Sequence, residues 1–329
     1  MRERPPDLEE RLYDALAVWG IHAVALNHVP LGSGDHHWSA TDTSGRRWFA
    51  TAADLGHKPF LGPEPGSVRR RLTRAMDTAA RLHDDEGLGF VVAPLRTPGG
   101  DTVVPVGDRY ALSVFPFVDG APGDFGRELT ADQRARLLDT LARLHRCAPG
   151  DAPAVPAGLP GRDRLARLLE NPAGVGDGGP HAVPTAELLA GHAGTLRERM
   201  EEFDHGAEAL EGAASVLTHG EPHPGNLLWR GGRPLLVDWD TVGLAVPERD
   251  LWLVTDDPGE LSRYTRAGGH EPDPALMDLY RLRWDLQDVV EFVDWFSAPH
   301  RGGPDTEQAW RDLVSVVERL RDGARSSAL

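Results

Sequence analysis

Lysine is almost absent from this chain of 329 residues: of 35 basic side chains only Lys58 is a lysine, which leaves 34 arginines. The bias runs along the whole length with an abundance of alanine, glycine and proline, and is read as genomic. Cysteine is equally scarce. Cys147 stands alone, so no disulfide can close within the chain and no zinc site built on several thiolates can form. Basic residues are outnumbered, 35 against 51 acidic, for a formal charge of -16. That sign argues against a nucleic acid or an anionic membrane as partner and is compatible with a cationic ligand. Long apolar runs are missing too, since none approaches the roughly 20 residues that cross a bilayer. Residues Met1 to Glu10 are charged and carry prolines where a secretory signal has an apolar stretch, so a cytoplasmic location is expected. Oligomeric state is not legible.

What is present folds. Hydrophobic residues make up 40% of the chain, and at roughly 150 residues per domain the length predicts about two core-forming units. Leu8, Leu12, Ala15, Leu16 and Trp19 have the spacing of an opening helix. Strands over 23–29, 38–41 and 47–53 follow, joined through Gly32-Ser33-Gly34 and Thr43-Ser44-Gly45 into an antiparallel meander. A helix is predicted over 67–83, then strands over 91–95, 102–106 and 110–114. The segment Phe115 to Gly120 reads as a hinge between a first lobe, residues 1–118, and a mainly helical second lobe, residues 119–329. There, helices are predicted over 130–147, with Thr130 and Gln133 as a capping box, around 164–169, and over 185–203, 274–296 and 305–321.

The densest polar cluster is His219-Gly220-Glu221-Pro222-His223-Pro224-Gly225-Asn226, followed by the apolar run Pro234 to Val237 and then Asp238-Trp239-Asp240. Two prolines forbid a continuous helix through the first part, so its polar residues sit on a loop. The second part is a buried strand that delivers Asp238. Asn and Asp oxygens suit a hard cation such as magnesium, which keeps phosphate and water oxygens in its shell. A carboxylate five residues before the Asn can accept a proton from a hydroxyl nucleophile, and together these parts match phosphoryl transfer.

This arrangement resembles the catalytic loop and metal-binding segment of the aminoglycoside phosphotransferase family, whose fold is similar to that of protein kinases. The order of meander, inserted helix, hinge and helical lobe resembles the family along nearly the whole chain. Asp238-Trp239-Asp240 with Pro247 to Leu251 looks like the branch that includes spectinomycin phosphotransferases. The resemblance implies an α+β, kinase-like two-lobed fold, with ATP or GTP as nucleotide and Mg2+ as metal. It puts Glu221 where the family's catalytic Asp stands, and gives Asn226 and Asp238 to the metal. Gly32 and Gly34 fall in the phosphate-covering turn, Phe117 and Val118 beside the adenine. Asp250 is either a partner of the catalytic loop or a helix cap.

Three departures accompany the resemblance. Glu221 is one methylene longer than the family's Asp. Thr51 occupies the strand position where kinase-like folds carry a lysine on the nucleotide phosphates, and the helix over 67–83 has no inward glutamate to pair with one. Lys58, in a loop flanked by glycine and proline, reads as a solvated surface residue, with a swing toward the phosphates as the alternative. For the acceptor, Asp285, Asp288 and Glu291 share a helical face that can meet ammonium groups or simply face water. The expected activity is phosphorylation of a small cationic aminoglycoside or aminocyclitol. The alternatives are a choline, homoserine or sugar kinase of the same fold, a catalytically weak nucleotide- or ligand-binding protein, and a metallohydrolase using His219, His223 and Asp238.

Overall fold

The computed structural model describes residues 1–32, 34–62 and 64–323. Compactness divides the chain into a first unit, Met1–Val155 with Ser215–Glu271, and a second, whose described residues are 156–214 and 272–323. The chain therefore leaves the first unit and returns to it. A single boundary near residue 118 does not capture this, because both sides of the 115–120 segment belong to the same compact unit.

The first unit opens with helix α1 (Leu8–Ala17) and strands β1 (Ala23–Val29), β2 (Asp35–Asp42) and β3 (Arg47–Asp54). Helix α2 (Pro65–Asp84) precedes β4 (Val104–Val106) and β5 (Tyr110–Pro116). The strands form one antiparallel sheet in the order β1-β2-β3-β5-β4. Alternation along β3 explains its packing: Trp48, Ala50 and Ala52 join Leu12, Leu16 and Trp38 in one core, while Phe49 and Thr51 take the other face. Burying large side chains of this kind is worth roughly 1.5–3 kcal/mol each. The strand predicted over 91–95 does not form. Pro94 removes a ladder donor, and in place of a strand the segment makes isolated contacts, among them a bridge from Val91 to Leu236 and a hydrogen bond from Leu95 to Val114.

Beyond β5 the chain forms the short strand β6 (Ala121–Pro122) and helix α3 (Ala131–Leu144), whose predicted capping box is present. Helices α4 (Arg162–Glu170) and α5 (Ala182–Ala207) belong to the second unit. The chain then re-enters the first unit as β7 (Val216–Thr218), β8 (Leu227–Arg230), β9 (Arg233–Leu236) and β10 (Gly243–Ala245), with helices α6 (Glu248–Leu251) and α7 (Pro258–Arg266). Strands β8 and β9 are a hairpin closed by Gly231-Gly232, both at positive φ as a tight two-residue turn needs. Helices α8 (Pro274–Ser297) and α9 (Pro304–Asp322) complete the second unit. Its core interlocks Leu189, Leu196 and Phe203 with Leu286, Val293 and Leu313, and Trp295 and Trp310 pack against it. Among the described residues no helix is long and apolar enough to cross a membrane.

Candidate active site

Between β7 and β8 the loop that carries Glu221 and Asn226 is fixed from below by one carboxylate. Asp250, on the short helix α6, accepts the backbone N–H of His219 at 2.8 Å and of Gly220 at 2.7 Å. His145 donates its Nε2 proton to the same carboxylate at 3.0 Å, and its Nδ1 accepts from the Tyr264 hydroxyl at 2.7 Å. Burial works against the Asp250 carboxylate, but His145 and the neighbouring cations hold its pKa below the usual range. Asp250 is thus an anchor of the loop and not a cap of its own helix. Gly220 has φ +105°, and a Cβ there would meet the Arg249 guanidinium and lie 2.6 Å from Thr241 Oγ1, so only glycine fits the bend.

His219 is a structural ligand of the same loop. Its Nε2 donates to the Val237 carbonyl at 2.9 Å and its Nδ1 accepts the Glu221 N–H at 3.3 Å. Burial lowers its pKa to about 4, so the ring is neutral. Both nitrogens being engaged, His219 has no lone pair for a metal, which removes the metallohydrolase arrangement. The Asn226 amide nitrogen donates to the Glu221 carbonyl at 3.0 Å and to His223 Nε2 at 3.3 Å, which turns its oxygen away from both. The Glu221 carboxylate is half-buried, with Oε2 3.9 Å from His223 Nε2. Phe125 stands edge-on to His223 with ring centroids 4.8 Å apart.

Asp238 follows β9 in the left-handed region, at φ 64°. Trp239 accounts for this: fully buried, it donates its indole N–H to the Leu236 carbonyl at 3.0 Å and packs edge-on to His219, closing a turn across Val237 and Asp238. A non-glycine residue held there is locally strained, a condition common at functional sites. Asp238 is exposed, yet crowding and then the carboxylates of Asp240, Asp35 and Glu221 push its pKa well up, against the pull of Lys58. Because water reaches the side chain, the neighbouring negative charges carry this effect more than dehydration does.

Asp238 is an accessible carboxylate among like charges, with Lys58 as a cation that acts on it. Asp238 and the Asn226 oxygen offer the hard donors that a divalent ion such as magnesium takes. Among the described residues no group of three His, Cys, Asp or Glu is arranged to hold a metal. That suits an ion taking a pair of protein oxygens and completing its shell with phosphate and water.

The largest departure from expectation is Lys58. It is not solvated but 5% exposed, with Nζ 2.6 Å from Asp240 Oδ2 and 3.0 Å from Asp35 Oδ1. Burial alone would lower its pKa, but Asp240, Asp35 and Asp238 together raise it well above the ordinary lysine value. Asp35 and His145 were not singled out by motif. Asp35 ends the glycine turn and His145 follows the last residue of α3, and only the fold brings Asp35 to Lys58 and His145 to Asp250.

The remaining candidates are dispersed. Gly32 and Gly34 lie at positive φ in the turn between β1 and β2, and Ser33 between them is outside the described residues. Thr51 Oγ1 is 3.1 Å from His37 Nδ1. Phe117 and Val118 follow β5 beyond its last paired residue, and the Arg47 guanidinium lies 4.0 Å over the Phe117 ring. All of these belong to the first unit, whereas Asp285, Asp288 and Glu291 lie on α8 in the second. Asp285 is 4% exposed and paired with Arg319 at 2.7 Å, and Glu291 accepts from the Gln287 amide at 2.9 Å. A cavity of about 380 Å3 between Phe90, α3 and β9, lined by Arg136, Arg143 and Arg233, holds none of the motif residues.

A loop carboxylate, an amide oxygen and an aspartate after a strand, set in this α+β arrangement, define a kinase-like phosphotransferase. The chain matches the phosphotransferase enzyme family over residues 28–292 and belongs to that family. It is 29% identical over 304 residues to protein StrN of Streptomyces griseus, covering 87% of this chain and 91% of that one. Its fold is similar to spectinomycin phosphotransferase APH(9)-Ia in complex with ADP and spectinomycin. The TM-score is 0.70 at 16% identity, over 95% and 97% of the two chains. It is also similar to amicoumacin kinase hAmiN in complex with AMP-PNP, Ca2+ and its substrate, at a TM-score of 0.63 and 14% identity, over 97% and 94%. The protein is therefore an enzyme of the phosphotransferase class with an alcohol group as acceptor.

Proposed function

We infer that the protein transfers the γ-phosphate of ATP to a hydroxyl of a small cationic acceptor of the aminoglycoside or aminocyclitol kind. The observation that carries this reading is the Asp250-anchored loop, which presents Glu221 and Asn226 beside an accessible, negatively crowded Asp238. Asn226 and Asp238 would hold magnesium, which when bound supplies neutralisation of charge on the phosphate oxygens. The chain's own part is positional. Half-buried Glu221 orients the acceptor hydroxyl and takes its proton as the new O–P bond forms. The longer side chain lets the carboxylate reach over a loop that the Asn226 to Glu221 hydrogen bond keeps tight. The backbone after β5 at Phe117 and Val118 is the place for the adenine edge, and the Gly32 and Gly34 turn the place for the phosphates.

A cationic acceptor agrees with the formal charge of -16 and with the acids of α8, among which Asp288 and Glu291 are the candidates for ammonium groups. Spectinomycin phosphotransferase binds an acceptor of that kind. A metabolite kinase acting on choline is the second reading, favoured by similarity to choline kinase LicA of Streptococcus pneumoniae at a TM-score of 0.60 and by the same preference for positive charge. Labelled ATP and GTP, offered with magnesium and a panel of aminocyclitols, aminoglycosides, choline, homoserine and sugars, test it. Transfer to an aminocyclitol or aminoglycoside, lost in Glu221→Gln, is expected. Transfer to choline alone favours the second reading, and transfer to no acceptor overturns both.

A further inference from the structure

Lys58 is the one lysine of the chain, and it is buried under the influence of three carboxylates, Asp240, Asp35 and Asp238. Buried lysines require a partner, and a single carboxylate would suffice. Two share this one. Asp35 stands at the start of β2, directly after the glycine turn, and Asp240 two residues beyond Asp238, so the ammonium ties the turn to the metal segment. Its backbone is held by local hydrogen bonds. Lys58 lies between two short 3-10 turns, its carbonyl accepts the Leu61 N–H at 3.0 Å, and Asp54 caps the first turn while gripped by Arg109 at 2.6 Å. An ammonium has three protons; one goes to Asp240, and Asp35 stands beside the group as an ion pair at 3.0 Å. Meanwhile β3 offers only Thr51, and the buried face of α2 carries no acid among the described residues.

We propose that Lys58, delivered from the turn after β3, is the cation that grips the nucleotide phosphates, with Asp35 and Asp240 as its positioning residues. The proposal rests on the nucleotide-dependent reading above. The cation that β3 lacks at position 51 comes seven residues later, at Lys58. The carboxylate that α2 lacks is replaced by one from the glycine turn and one from the segment after Asp238.

The test compares ADP with adenosine, which lacks the phosphates, by calorimetry on the full-length protein in EDTA. Wild type is expected to prefer ADP. In Lys58→Met that preference falls by about tenfold or more while adenosine affinity stays within about twofold, as loss of one charge-assisted hydrogen bond predicts. Lys58→Arg retains part of the preference, and Asp35→Asn, which loosens the ammonium without removing it, lowers it by a smaller factor. If Lys58→Met does not fold, Lys58→Met/Asp35→Asn removes a carboxylate with the cation and takes its place. ADP and adenosine weakening together, or neither changing, overturns the role of Lys58 and leaves the nucleotide reading intact. A wild-type protein that binds neither ligand overturns that reading and this proposal with it.

Discussion

The carboxylate of Asp250 accepts the backbone N–H of Gly220 at 2.7 Å across 30 residues of sequence. With the bond to His219, it turns a loop containing two prolines and a left-handed glycine into a fixed platform for Glu221 and Asn226. Removing it leaves two buried amides and His145 without their acceptor. Asp250→Ala is therefore expected to cost about 3 kcal/mol or more in urea unfolding, and Asp250→Asn less, since one oxygen still accepts. The folded pKa of Asp250 lies below its unfolded value, so its contribution is complete above the ordinary carboxylate range and is lost as pH falls through the folded value.

Acid acts on the same loop at higher pH through its histidines. Burial lowers both His219 and His223 to about 4, with His219 adding to the effect on His223. Between the unfolded value of about 6.5 and the folded one the unfolded chain binds more protons, so stability falls as pH is lowered. Each histidine contributes up to about 1.4 kcal/mol per pH unit in that window. Unfolding midpoints measured from pH 7 to pH 4.5 should fall steadily, and His223→Gln should remove about one proton from the slope. A flat profile in the wild type contradicts the neutral, buried assignment.

On α8 the acids divide by environment. Asp285 is buried against Arg319, whereas Asp288 and Glu291 keep partial exposure. Asp285→Ala should destabilise the protein by about 2–3 kcal/mol, as breaking a largely buried pair does. Its KM for the acceptor should stay unchanged. Asp288→Asn should raise that KM with little loss of stability. The opposite pattern would make Asp285 the acceptor ligand.

Most of the fold was legible because its signals are local. The capping box of α3, the period of α2 and the alternation of β3 each fit within a few turns of chain. That Glu221 and Asn226 share one loop and Asp238 follows a strand was legible because these placements depend on spacing along a short stretch of chain. Lys58 was not. In sequence it is a lone charge between glycine and proline, and only contacts 23 and 182 residues away take it out of solvent. Asp35 was hidden for the same reason, and the compact unit that joins 1–155 to 215–271 follows no composition shift. The partner of Asp285 was hidden in another way, since helical period places three acids on one face without saying that Arg319 reaches the first.

The account depends most on Asp238 being a carboxylate that awaits a divalent ion beside Asn226. Calorimetric titration of ADP with and without magnesium tests this directly in wild type and Asp238→Asn. The expected result is tightening of ADP by magnesium by about tenfold or more in wild type and loss of that dependence in the variant. Equal magnesium dependence in both proteins, or none in the wild type, would contradict it.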